Sequence, residues 1–155
     1  KRLAVPGLDE FGFHELGHAL TAMIFGKKPR IELVALGGLT FHDGQDLPCW
    51  KQFLITLNGP CFGFILAMVA WAIERLVLNM PASVAVVLHD IFVINIFWTV
   101  VNLIPVLPLD GGQLLRIALE GFFGANGLRY ALIAGLVIAL LISLFFFLFA
   151  PGPCR

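Results

Sequence analysis

The chain has 155 residues, of which 59% are hydrophobic and only 13% charged, and its formal net charge is zero. Soluble domains carry about 25% charged residues, so this composition points to a membrane protein embedded in the lipid bilayer and away from an ordinary soluble domain. The balanced charge and the lack of a long basic run argue against a nucleic-acid partner, and Cys49, Cys61 and Cys154 form no C-x-x-C pair that would suggest a thiolate zinc site.

Lys1-Arg2 is followed by too short an apolar run for a signal peptide, and Pro6-Gly7 breaks the segment. A first helix is expected from about Asp9 to Phe25, with carboxylates in its first turn and Gly26 as its stop. At 1.5 Å per residue it is about 26 Å long, slightly short of a hydrocarbon core of about 30 Å. This helix carries Phe13-His14-Glu15-Leu16-Gly17-His18-Ala19, an H-E-x-x-H pattern. Residues four apart lie on one helix face, so His14 and His18 can offer two imidazoles to one metal ion. Glu15 stands beside them as a general base for a metal-activated water. The bland alternative is a helix that happens to carry two histidines and a carboxylate. Three ionisable groups inside an apolar helix are costly, which favours the functional reading.

A basic turn, Lys27 to Arg30, precedes residues 31–41, whose β-branched and aromatic content around Gly37-Gly38 reads as a short β-hairpin. Such an edge suits either pairing with an extended substrate segment or plain connection. His42 lies in a polar loop and is more simply a solvated histidine than a ligand. A second span is expected from Phe53 to Ile73, with Asn58-Gly59-Pro60 and Gly63 as points of kinking or close approach. A third runs from Ser83 to Ile104. It contains His89-Asp90, read as interfacial or packing residues, and Asn95 and Asn102, which share a face. The third span leads into Asn102-Leu103-Ile104-Pro105-Val106-Leu107-Pro108-Leu109-Asp110-Gly111-Gly112. The prolines end the helix, and an aspartate in so apolar a setting needs a partner. Asp110 is therefore the best candidate for a third metal ligand, against the alternative of a solvated loop aspartate. A short amphipathic helix, 113–123, holds Arg116 and Glu120 at i,i+4, and an anchor helix, 128–150, completes the chain.

The expected fold is an all-α membrane protein with about four transmembrane helices and a short β-hairpin between the first and second. Residues 1–155 form one membrane-embedded domain, with a core at about 9–112.

His-Glu-Leu-Gly-His in one apolar helix, joined with Asn-Leu-Ile-Pro-Val-Leu-Pro-Leu-Asp-Gly-Gly in a later one, resembles the site-2 protease family of intramembrane zinc metalloproteases. Asn58-Gly59-Pro60 with Gly63 looks like the family's middle-helix motif, and the Gly37-Gly38 segment is similar to its membrane-associated hairpin. The resemblance implies one zinc ion per chain, bound by His14, His18 and Asp110, with Glu15 as catalytic base. It also implies that Asn102 lies near the site and helps to stabilise the reacting centre. The implied activity is hydrolysis of peptide bonds in or near transmembrane segments of a membrane-protein substrate, as in regulated intramembrane proteolysis. The expected location is a prokaryotic cell membrane, crossed several times. The sequence names neither the substrate nor the oligomeric state. No helix is expected before the motif helix in the given sequence, where the family usually has one, and no PDZ-like insertion is expected between the spans. Two rival readings remain: a catalytically idle homologue that binds a partner helix, and a metal transporter using His14, His18, His42, His89 and Asp110. No inverted repeat supports the transporter.

Overall fold

The computed structural model describes residues 12–28, 30–34, 37–41 and 47–149. The expectations placed on His42 and Cys154 lie outside the described residues. In chain order the elements are α1 (Gly12–Ile24), β1 (Arg30–Val34), β2 (Gly37–Phe41), α2 (Cys49–Leu76), α3 (Ala82–Asn102), α4 (Asp110–Phe123), a 3-10 turn (Gly124–Asn126) and α5 (Gly127–Phe149).

The fold expected from the sequence is corrected in two respects. Among the described residues three stretches, not four helices, are long and apolar enough to cross a membrane: Cys49–Leu76, Ala82–Asn102 and the run Asp110–Phe149. The motif helix α1 has 13 residues, which at 1.5 Å each gives about 20 Å against the roughly 30 Å of a hydrocarbon core. The hairpin drawn around Gly37-Gly38 also fails as drawn. Val34 faces Gly37 and Leu33 faces Gly38 in the β1–β2 register, so both glycines belong to a strand and not to a turn. A two-stranded pair is marginal on its own, and the fold is carried by its helices.

The chain divides into two compact units, Lys1–Asn102 and Leu103–Arg155. In the first, α1 packs on α2 and α2 on α3. α1 ends as expected at Gly26, whose φ of 77° suits a residue without a Cβ. Gly26 N–H donates to Met23 O and Lys27 N–H to Ala22 O, at 2.9 and 3.0 Å, the paired bonds of a Schellman cap. Just beyond, Phe25 and Trp50 meet edge to face at 5.6 Å. Lys51 Nζ lies 5.3 Å from the Phe25 ring and 5.4 Å from the Trp50 ring. Aromatic rings and a lysine at a helix end are the usual anchors at a membrane–water boundary.

α2 starts four residues before the expected boundary and continues through Pro60 without a break. Its outer surface and that of α3 are lined by exposed apolar side chains, among them Phe64, Ile65, Ile94, Phe97 and Val100. Such surfaces are stable only against lipid or protein. Towards one end of α2 and α3, His89 Nδ1 stands 3.7 Å from Glu74 Oε2.

In the second unit, Leu107–Pro108 is a cis peptide, and α4 begins at Asp110 instead of Gln113. Gly111 and Gly112 are thus helical. A Cβ on Gly111 would run into the carbonyls of Leu103 and Ile104, and one on Gly112 into Val106 and Leu107. The glycine pair lets the 103–107 segment fold tightly onto the first turn of α4. α5 closes on the same segment through Gly135, whose nearest neighbours would be Val106, Pro105 and Leu107. Its buried residues are Gly127, Ala131 and Gly135, one every four positions on a single face. The expected Arg116–Glu120 pair forms, with Nε and Oε1 3.7 Å apart.

Candidate metal centre

In α1 the buried residues are His14, Glu15, Gly17, His18, Ala19, Thr21 and Ala22. Positions 14, 18 and 21 form one stripe, and the small residues around them let α2 come close. A Cβ on Gly17 would strike the carbonyl of Asn58, and a Cβ on Gly59 would overlap the His18 ring itself. The two helices are therefore joined glycine to polar group in both directions. One hydrogen bond crosses between the helices, from Asn58 Nδ2 to Thr21 Oγ1 at 2.7 Å, and Thr21 Oγ1 in turn donates to Gly17 O of its own helix at 2.8 Å.

His18 Nδ1 lies 2.8 Å from the carbonyl oxygen of Ile55. A carbonyl only accepts, so Nδ1 carries the hydrogen and Nε2 of the neutral ring carries the lone pair. That Nε2 is 3.2 Å from Nε2 of His14. Two ring nitrogens bound to one tetrahedral zinc at about 2.0–2.1 Å stand roughly 3.3 Å apart. The spacing of this pair fits such an ion, and the Ile55 carbonyl provides the outer hydrogen bond that orients a ligating histidine. Glu15 is buried on the same helix.

Asp110 is buried at the first position of α4, preceded by Leu109 as N-cap. A carboxylate there faces the partial positive charge of the helix start. The sequence places Asp110 in open glycine-rich backbone; the structure places it on a helix. Asn102 is the last residue of α3 and is half-buried. Asn95, expected to reach a neighbouring helix, donates through Nδ2 to Ile91 O of its own helix at 2.8 Å.

Sequence reasoning missed the Ile55 carbonyl that meets His18 and the Asn58–Thr21 bond between the same two helices. Ile55 gives no signal, because only its backbone is used. Thr21 is seven residues after His14, and Asn58 is a polar residue in an apolar span; those two features were readable. Gly59 was read as a point of helix approach, and what approaches is the imidazole. Gly59→Val is expected to displace the His18 ring and to bring metal content far below that of the wild type, while helicity by circular dichroism is kept. Undiminished metal content in that variant contradicts this packing.

The family model for peptidase family M50 matches residues 10–83 and 78–146. A zinc metalloprotease of Methanocaldococcus jannaschii is 30% identical over 134 residues, covering 85% of this chain and 39% of that protein. Stage IV sporulation protein FB of Bacillus subtilis is 33% identical over 108 residues, covering 66% of this chain and 35% of that protein. The solved structure of the site-2 protease from Methanocaldococcus jannaschii is similar with a TM-score of 0.62 at 28% identity, over 88% of this chain and 62% of that one. The chain thus spans well under half the length of these curated relatives. With three stretches among the described residues long and apolar enough to cross a membrane, and with relatives of this family, the chain is a multi-pass integral membrane protein. Matched by the family model over most of its length, and carrying the two converging histidines of H-E-x-x-H, the chain belongs to peptidase family M50.

Proposed function

We propose that the chain is the catalytic part of a zinc-dependent intramembrane protease that hydrolyses peptide bonds in or near transmembrane segments of membrane proteins. The observation that carries this reading is the His14–His18 pair. Two Nε2 atoms converge at 3.2 Å, with the second ring committed to its lone-pair form by the Ile55 carbonyl. His14, His18 and Asp110 would hold one zinc ion, the two nitrogen and one oxygen donors of a catalytic site that keeps a further position open.

A zinc ion held by these residues would supply Lewis-acid chemistry, polarising a scissile carbonyl and lowering the pKa of a water bound to it. Glu15 takes the proton from that water and passes it to the leaving amine. Glu15 is buried, and reduced access of water strengthens the charge interactions through which it acts. Asn102 carries a carboxamide N–H that can donate to the carbonyl oxygen as it gains charge. A substrate helix must open locally before attack, because its carbonyls are occupied by their own hydrogen bonds.

Metal removal tests the reading. A membrane-helix reporter is incubated with the chain in lipid vesicles, before and after treatment with a zinc chelator. Cleavage is expected to stop on chelation and to return when zinc is restored. Cleavage that continues at its initial rate after the metal has been stripped would count against a metalloprotease.

A further inference from the structure

We propose that Asn95 and Thr99 of α3 are positioning residues for His14, accepting the hydrogen of its Nδ1 and so presenting Nε2 to the metal. This rests on the reading of His14 as a ligand. The observation behind it is a notch in α2. The one buried residue of α3 is Thr99, which is 6% exposed. It meets α2 where Gly63 has no side chain. A Cβ on Gly63 would stand 3.0 Å from Thr99 Oγ1, 3.9 Å from Asn95 Oδ1 and 4.0 Å from His14 Nδ1. Polar atoms from α1 and α3 thus converge on one point beside α2.

The hydrogen-bond polarity of this notch is set from behind. Thr99 Oγ1 donates its hydrogen to Pro60 O, a long bond of 3.5 Å, which leaves the hydroxyl's lone pairs for another donor. Asn95 Nδ2 donates to Ile91 O at 2.8 Å. A carbonyl cannot donate, so this bond assigns the amide nitrogen to Ile91 and turns the amide oxygen to the notch. What faces Gly63 is therefore a pair of acceptors. The group that matches them is a ring N–H, and His14 Nδ1 is the ring nitrogen there. Nδ1–H on His14 leaves its Nε2 as the lone-pair nitrogen, the same tautomer that the Ile55 carbonyl imposes on His18. Both ligating rings are then oriented by neutral acceptors. Neutral partners suit a lipid-embedded helix pair, where a second carboxylate would be costly to bury.

Zinc affinity by chelator competition, with the visible absorption of the cobalt-loaded protein, tests this in the purified chain. Thr99→Val is nearly isosteric and keeps the packing. The Asn95→Leu/Thr99→Val double variant is expected to bind zinc about 10–100-fold more weakly than wild type, the usual effect of losing an outer hydrogen bond to a ligating histidine. Its cobalt absorption bands should shift, and Thr99→Ser should restore wild-type behaviour in the single-site series. His14→Ala is the control for the ligand reading and is expected to lose zinc. Wild-type affinity and an unchanged cobalt spectrum in the double variant, with zinc lost in His14→Ala, overturn the positioning role alone. Full zinc affinity in His14→Ala overturns both, since no ligand would remain to be positioned.

Discussion

Glu15→Gln is expected to abolish cleavage of a membrane-helix reporter while leaving the zinc content at one per chain. Glutamine keeps the size and shape of the side chain and so keeps the packing of the buried face of α1. It cannot take a proton from water at neutral pH. Loss of a positioned general base costs about 10²–10⁴ in rate. Glu15 is not among the proposed ligands, so metal content and activity are predicted to separate in this one variant. That separation distinguishes an enzyme from a membrane homologue that only binds a partner helix, for which turnover does not depend on Glu15. Equal cleavage by the variant and the wild type contradicts the assignment.

The long apolar runs that became α2, α3 and α5 were legible in the sequence to within a few residues, because their length and lack of charge leave few alternatives. The four-residue spacing of His14 and His18 was legible for a similar reason, since helix geometry alone brings their faces together. What the sequence hid is what lies between helices. The Ile55 carbonyl holds His18 across 37 positions of sequence, and a backbone atom leaves no mark in the residue pattern. The two glycines before the amphipathic helix were read as open backbone. Their local pattern does not reveal that a turn of helix needs them to pass the carbonyls of residues 103–107. The number of spans was overcounted because α1 was taken to cross the membrane on apolarity. Its described part is a 13-residue helix whose buried face is given to histidine, glutamate and small residues. That face packs on α2.

Asp110→Ala is expected to reduce bound zinc from about one per chain to well below that, and to remove activity with it. Asp110 is the buried carboxylate at the start of α4, and the two histidines alone leave a zinc site one donor short of the usual three. Alanine is a good helix former, so α4 itself should survive the change. The measurement that bears most directly on the account is zinc per chain for wild type and Asp110→Ala, purified side by side in detergent, with helicity checked by circular dichroism. The account predicts one zinc in the wild type and a large loss in the variant at unchanged helicity. Zinc retained in full by Asp110→Ala, or none in a well-folded wild type, would contradict the three-ligand centre on which the proposed activity depends.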